Sequence, residues 1–174
     1  MQVDLHTIEY GDPSLPPLVF CHGLFGQGRN WTSIAKRAAQ YFRVVLLDMP
    51  NHGRSGWTDH FEYLDQAQIV VDHLVGLDRR PWRIVGHSMG GKIAMLTALL
   101  RPGLVERLVV VDMSPVRYSP PISDLNGFAQ AMRALDLSTV TRREDADIAL
   151  RDAVPDRTVR AFLLQNLRRD GDGW

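Results

Sequence analysis

Four short apolar runs punctuate the first two-thirds of the chain: Leu18 to Cys21, Val44 to Leu47, Arg83 to Val85 with Trp82 before it, and Leu108 to Val111. Each is mostly β-branched or leucine and continuous rather than alternating, as strands covered on both faces require. Between them Ile34, Ala38 and Tyr41 recur at helical spacing, as do Leu64, Ala67, Val71 and Leu74. Ile93 to Leu100 is apolar almost all round, the pattern of a helix packed deep against a sheet. Strand and helix in strict alternation predict an α/β fold, a parallel sheet wound by right-handed crossovers. The start, Val3 to Tyr10, reads as one or two antiparallel strands leading in.

After Pro115 the periodicity changes, which divides the chain into a core over residues 1–115 and a helical region over 116–174. Three amphipathic helices are expected there. Phe128, Met132 and Leu135 mark the first; Ala146, Ala149, Leu150 and Ala153 the second; Val159, Phe162, Leu163 and Leu167 the third. Thr141-Arg-Arg-Glu144 has the form of a capping box for the second, and Pro155 is expected to end it before Asp156 caps the third. The region has no charge bias of its own.

The chemistry concentrates in IVGHSMGGKIAM, residues 84 to 95, where an apolar strand meets a buried helix. Gly86-His-Ser88-Met-Gly90 fits the pattern in which a serine sits on a strained turn and glycines two residues to either side let neighbouring backbone pass. Ser88 then stands at a helix N-terminus, where the macrodipole favours developing negative charge. Acyl transfer at such a hydroxyl also needs donors for an oxyanion. The N–H of Met89 is one candidate; the loop Phe20-Cys-His-Gly-Leu-Phe-Gly26 offers Leu24 as the other, with Phe25 next. His22 is expected to hold that loop by hydrogen bonds rather than act as a base. Cys21 reads as a small buried hydrophobe.

Composition removes several alternatives. Hydrophobic content of 45% and charged content of 23% are those of a globular protein. Twenty basic side chains balance twenty acidic ones, so there is no electrostatic footprint for nucleic acid or an anionic membrane. One cysteine excludes an internal disulfide and fits a reducing compartment. The N-terminus lacks a basic flank leading into an apolar stretch, and no run approaches the ~18 apolar residues of a membrane span, so a cytoplasmic protein is expected. Asn30-Trp31-Thr32 matches the glycosylation triplet, but Asn30 is better placed to cap the helix that follows. Scattered histidines offer no metal cluster and no glycine-rich dinucleotide fingerprint follows a strand, so no metal and no cofactor are expected.

HGLFG at 22 to 26, LDMPNHGRS at 47 to 55, VGHSMGGK at 85 to 92 and VVVDMSPV at 109 to 116, in this order, resemble the α/β-hydrolase superfamily and, more narrowly, its small esterases that cleave acyl esters and thioesters. The region from Arg142 to Trp174 is similar to that group's helical cap, or lid. The resemblance implies a mostly parallel sheet with helices on both faces and a lid over the crevice, Ser88 as nucleophile, Leu24 and Met89 as oxyanion donors, and a small-molecule ester as substrate. Phe25, Trp31 and Met89 are candidates for an apolar acyl pocket, with ordinary core packing as the alternative.

The acid follows the nucleophile in chain order. Asp112, directly after Val109 to Val111, is a candidate acid, and equally a residue that ties loop backbone; in many α/β-hydrolases the acid instead ends the next strand, here beyond residue 174. Asp48 is a weaker candidate, read as tying down the loop Asn51 to Arg54. The six histidines lie at 6, 22, 52, 60, 73 and 87, so none follows Ser88 to serve as general base. Leu108 to Val111 would also stand as a bare apolar sheet edge. The chain is therefore expected to be the N-terminal two-thirds of a longer product, inactive alone, with the C-terminal strands, helix and histidine supplied by a missing segment or a second chain. In complete form it is expected to hydrolyse carboxylic esters of short to medium acyl groups through an acyl-enzyme on Ser88. Thioester hydrolysis or perhydrolysis at the same site, and a non-catalytic binding module of the same fold, are the alternatives.

Overall fold

The computed structural model describes residues 3–116 and 123–174. Five strands form one sheet: β1 (Thr7–Tyr10), β2 (Pro17–Cys21), β3 (Arg43–Leu47), β4 (Trp82–His87) and β5 (Val105–Val111), in the order β1-β3-β2-β4-β5. β1 runs antiparallel to β3, and every other pairing is parallel. This is the α/β architecture that the apolar runs predict, with the lead-in segment as a single antiparallel edge strand.

Burial on both sheet faces explains why the central runs are continuous. In β2, Val19 and Cys21 join Val45, Leu47 and Ile84 in one core, completed by Val70, Val71 and Leu74 of α2 (Tyr63–Leu77) and by Ile93 and Ala94 of α3 (Met89–Leu100). Leu18 and Phe20 point the other way, with Val44 and Leu46, against Ala35 of α1 (Thr32–Ala38). Trp82 is fully buried at the start of β4, and its Nε1 donates to the Leu74 carbonyl at 3.3 Å. That bond satisfies the one polar atom of a large apolar side chain and ties α2 to β4.

Several facing residues differ from expectation. α1 ends at Ala38 and buries Ala35, so Ile34 and Tyr41 are exposed. Ala35 is the residue this seven-residue helix buries, so Ile34 falls on its outer side. Leu64, Leu99 and Leu100 likewise reach solvent, so α3 is buried along Ile93, Ala94 and Thr97 rather than all round. Asn30 does not cap α1. Its Oδ1 accepts from Gln27 N at 2.7 Å, closing the 3-10 turn of residues 28–31 that leads in.

The chain divides into two compact units, Met1–Pro115 and Val116–Trp174. The second contains α4 (Ser123–Arg133), α5 (Arg143–Ala149) and α6 (Arg157–Leu164). Val140, Ala146, Leu150 and Leu164 form its core, with Ala131, Leu135, Leu167 and Trp174 packed around them. Leu163 is buried as expected, whereas Phe162 is exposed and Leu164 is buried in its place. α5 is capped by Asp145, not Glu144: one carboxylate oxygen accepts from Thr141 N, Thr141 Oγ1 and Arg142 N. The shorter Asp side chain reaches these donors from the third helical position, so the helix starts one residue later than the Thr-x-x-Glu spacing predicts. α5 also ends at Ala149, well before Pro155. Asp156 caps α6 as expected, accepting from Thr158 N and Val159 N. Buried Arg160 is paired with Asp147 at 2.9 Å and donates to the Val154 and Pro155 carbonyls, which compensates its desolvation.

Candidate active site

Because β2, β3, β4 and β5 are parallel, their carboxyl ends share one edge, and the segments leaving them meet there. Ser88 links β4 to α3 with φ 50 and ψ −119, a backbone conformation that a side-chain-bearing residue adopts only under constraint. The constraint is visible on both sides. Ser88 N donates to the Val111 carbonyl at 3.1 Å, and the Ser88 carbonyl accepts from Lys92 N at 3.1 Å as the first helical bond. A Cβ on Gly86 would lie 2.5 Å from the Gly90 carbonyl oxygen, and one on Gly90 would lie 2.4 Å from that of His22. No side chain fits at either position, so the two glycines permit the turn. Ser88 is half-buried, and Met89 begins α3 with an N–H that has no acceptor inside the helix.

The loop after β2 lies directly against this turn. A Cβ on Gly23 would sit 3.2 Å from Ser88 Cβ, and Gly26 N closes a turn onto the Gly23 carbonyl at 3.0 Å. Leu24 and Phe25 occupy the corner of that turn, both half-buried, with Phe25 at φ 61. Leu24 packs against the main core. The side chain of Met89 belongs to that core as well, and Trp31 stacks on Phe20 with ring centroids 5.0 Å apart. Ordinary packing therefore accounts for both.

His22 holds this loop. Its Nδ1–H donates to the Gly23 carbonyl at 2.8 Å, and its Nε2 accepts from Met49 N at 2.9 Å, so the ring is neutral and both nitrogens are occupied. Burial pushes its pKa down to about 4, against the opposing pull of the Gly23 hydrogen bond. His52, whose ring lies 5.3 Å away, is shifted in the same direction, again chiefly by burial. Cys21 is fully buried, which pushes its thiol up to about 12.

Asp48 ends β3 and is consumed by its surroundings. It accepts from Gly28 N at 2.7 Å and Arg54 N at 2.9 Å, and His6 Nδ1 lies 3.2 Å from it. A Cβ on Gly53 would collide with its carboxylate at 2.1 Å, so the loop folds around the acid as a tie. Asp112 ends β5 at φ 52 and is 89% exposed in its side chain, with Oδ2 4.0 Å from His87 Nε2. The structure thus brings Ser88, Met89, Leu24, Phe25 and Asp112 to one edge. His87, set between Gly23 and Asp112, has no local signal in the sequence beyond its place before the serine. Among the described residues no group of three or more His, Cys, Asp or Glu is placed to hold a metal ion, and no helix is long and apolar enough to cross a membrane.

A strand, a strained turn carrying a serine, and a helix, at the carboxyl edge of a mostly parallel sheet, define a class, and the comparisons agree with it. The model of the alpha/beta hydrolase fold family matches residues 16–162, and the chain belongs to that family. It is 44% identical over 163 residues to the sn-1-specific diacylglycerol lipase ABHD11 of Mus musculus, covering 90% of this chain and 53% of the relative. Ethanol acetyltransferase 1 of Wickerhamomyces anomalus is 33% identical over 159 residues, covering 87% of this chain and 41% of that protein. Among solved structures, a marine microorganism esterase is similar with a TM-score of 0.94 and 34% identity, over 99% of this chain and 67% of that one. The chain spans about half the length of the curated relatives it matches.

Proposed function

We propose that this chain carries the nucleophile half of a serine hydrolase that cleaves carboxylic esters of short to medium acyl groups through an acyl-enzyme on Ser88. The observation that carries the reading is the Ser88 turn itself: a strained, half-buried serine at the start of α3, with Gly23 of the neighbouring loop against its Cβ. Strain of this kind persists only where surrounding structure imposes it, and here it lifts a hydroxyl out of the strand at a helix N-terminus. The N–H groups of Met89 and Leu24 serve as oxyanion donors, and Phe25 borders the acyl group. Asp112 is the acid.

Turnover also requires a general base to take the Ser88 proton. His22 has both nitrogens occupied, and no histidine follows Ser88 in these 174 residues. The base in this reading lies outside these 174 residues, which fits a chain spanning about half the length of the relatives it matches, and residues 1–174 alone are expected to be inactive toward esters. The relatives named as a lipase, an acetyltransferase and an esterase support acyl chemistry at this fold. Diacylglycerol and a soluble p-nitrophenyl ester are accordingly the first substrates to compare, with a thioester and a peroxide-dependent assay for the alternative acyl chemistries.

A fluorophosphonate probe applied to the full-length protein tests the assignment. Wild type is expected to be labelled and Ser88→Ala not; labelling of both overturns Ser88 as nucleophile. A full-length protein that folds, binds esters and is never labelled is instead the non-catalytic module.

A further inference from the structure

We propose that His87 is a positioning residue for Asp112, a role that rests on the reading of Ser88 and Asp112 given above. Its imidazole lies between the loop after β2 and the residue that ends β5. A Cβ on Gly23 would stand 2.9 Å from Nδ1 and 3.3 Å from Cε1, so the ring rests against the bare Cα of Gly23. Nε2, at the far side of the ring, is 4.0 Å from Asp112 Oδ2. No hydrogen bond joins His87 to Ser88 among the described residues, and the ring has Gly23 against it and Asp112 within 4.0 Å. This geometry does not suit a base for Ser88; it suits a support.

The backbone prepares the pair. His87 is in register with Val111 across β4 and β5, and Ser88 N donates to the Val111 carbonyl. Asp112 therefore follows directly from the residue that pins the serine turn. Its left-handed backbone turns the chain there, and its carboxylate comes within reach of the neighbouring strand's imidazole. A distance of 4.0 Å exceeds a hydrogen bond. The carboxylate is exposed, and catalytic contacts of this kind are often long in the free enzyme and tighten when substrate binds.

An acid that orients a base presents one carboxylate oxygen to it, and the second oxygen needs its own donor to hold the plane of the group. His87 Nε2–H supplies that donor. Because the same ring leans on Gly23, the acid and the loop bearing the Leu24 amide are held in register through one side chain. Gly23 then has a second purpose beyond its closeness to Ser88: any side chain there displaces the ring that supports Asp112.

The test is a double-mutant cycle in the full-length protein, read as kcat and KM on a soluble p-nitrophenyl ester. His87→Phe keeps a ring against Gly23 and removes the donor; it is expected to lower kcat about 20-fold, with KM within about twofold. His87→Gln returns an N–H near the position of Nε2 and is expected to restore kcat to within about threefold of wild type. In an Asp112→Asn background His87→Phe is expected to cost less than about twofold more. His87→Leu takes the place of Phe should the larger ring not be accommodated. Equal impairment in the Phe and Gln variants, or the same loss with and without the Asp112 carboxylate, overturns the positioning role. Ser88→Ala, run alongside, separates the two readings. Turnover surviving there overturns Ser88 as nucleophile, whereas turnover lost there with additive His87 and Asp112 effects overturns only the role of His87.

Discussion

Asp48 and Asp112 each close a parallel strand at the same edge of one sheet, yet they stand at opposite extremes. The first is 4% exposed and accepts two backbone N–H bonds from the segments around it. The second is 89% exposed in its side chain, and an imidazole lies 4.0 Å away. A buried carboxylate whose two oxygens each already accept a backbone N–H is poorly placed to serve a substrate or a base, and moving it costs desolvation as well as bonds. An exposed carboxylate on a left-handed residue contributes little to stability and remains free to act. Strand-end position alone therefore does not mark a functional acid; the difference lies in what has already claimed its oxygens.

The sharpest way to break this contrast is to neutralise both acids. Asp112→Asn in the full-length protein is expected to reduce kcat on the order of ten-thousand-fold, as loss of the orienting acid does in serine hydrolysis. Its effect on stability is expected within about 0.5 kcal/mol, the range for an exposed substitution. Steady-state kinetics beside a urea unfolding curve reads both, and full activity in this variant removes Asp112 from the site.

Asp48→Ala is expected to act the other way. It orphans the N–H groups of Gly28 and Arg54, at about 1–3 kcal/mol each, so a loss of roughly 4 kcal/mol in unfolding free energy is expected. Urea denaturation of residues 1–174 measures it. A loss below about 1 kcal/mol would mean that water replaces the carboxylate without strain, and the contrast with Asp112 would then be one of exposure only.

His22 extends the comparison to pH. Its folded pKa, about 4, lies below the ordinary 6.5, so the unfolded chain takes the proton first. Stability attributable to this residue is therefore complete above about 6.5, falls as pH drops through the interval, and is fully lost below about 4, a change on the order of 3 kcal/mol. Asp78 and Asp145, each held near 2 chiefly by side-chain hydrogen bonds from Arg80 and Thr141, remain charged across that window. Wild type is expected to lose more unfolding free energy than His22→Gln between pH 7 and pH 4.5. Equal losses would show that the proton is taken up elsewhere.

The strands were legible because each central run is covered on both faces, and continuous apolar sequence has few other stable placements. That Ser88 stands between strand and helix was legible for a related reason: Gly86 and Gly90 bracket it where one apolar pattern gives way to another. Helix facing was less so. Ile34, Tyr41 and Phe162 sit at helical spacing but fall on the open side, since in short helices the choice of inner face depends on what the sheet admits. The Asp145 cap shows how one residue of offset escapes a spacing rule. Least legible was the meeting of Gly23, His87 and Asp112. These residues lie far apart in the chain and come together only through the β2-β4-β5 order and the positive φ of Asp112, neither of which has a local sequence signature.

Cys21 supplies the smallest effect and a useful control, since it ends β2 one residue before the loop that faces Ser88. Position alone would make its thiol a rival nucleophile at this edge. Complete burial excludes water from the sulfur, and with its pKa pushed up to about 12 almost no thiolate exists at neutral pH. Native protein is accordingly expected to resist a water-soluble thiol reagent at pH 8 over hours, and the urea-unfolded chain to react within minutes. Asp48→Ala should fall between them, because loosening the Gly28 and Arg54 segments raises the population of open states through which the reagent enters. Rapid modification of native wild type would place the sulfur at the surface, and this edge would then hold two candidate nucleophiles instead of one.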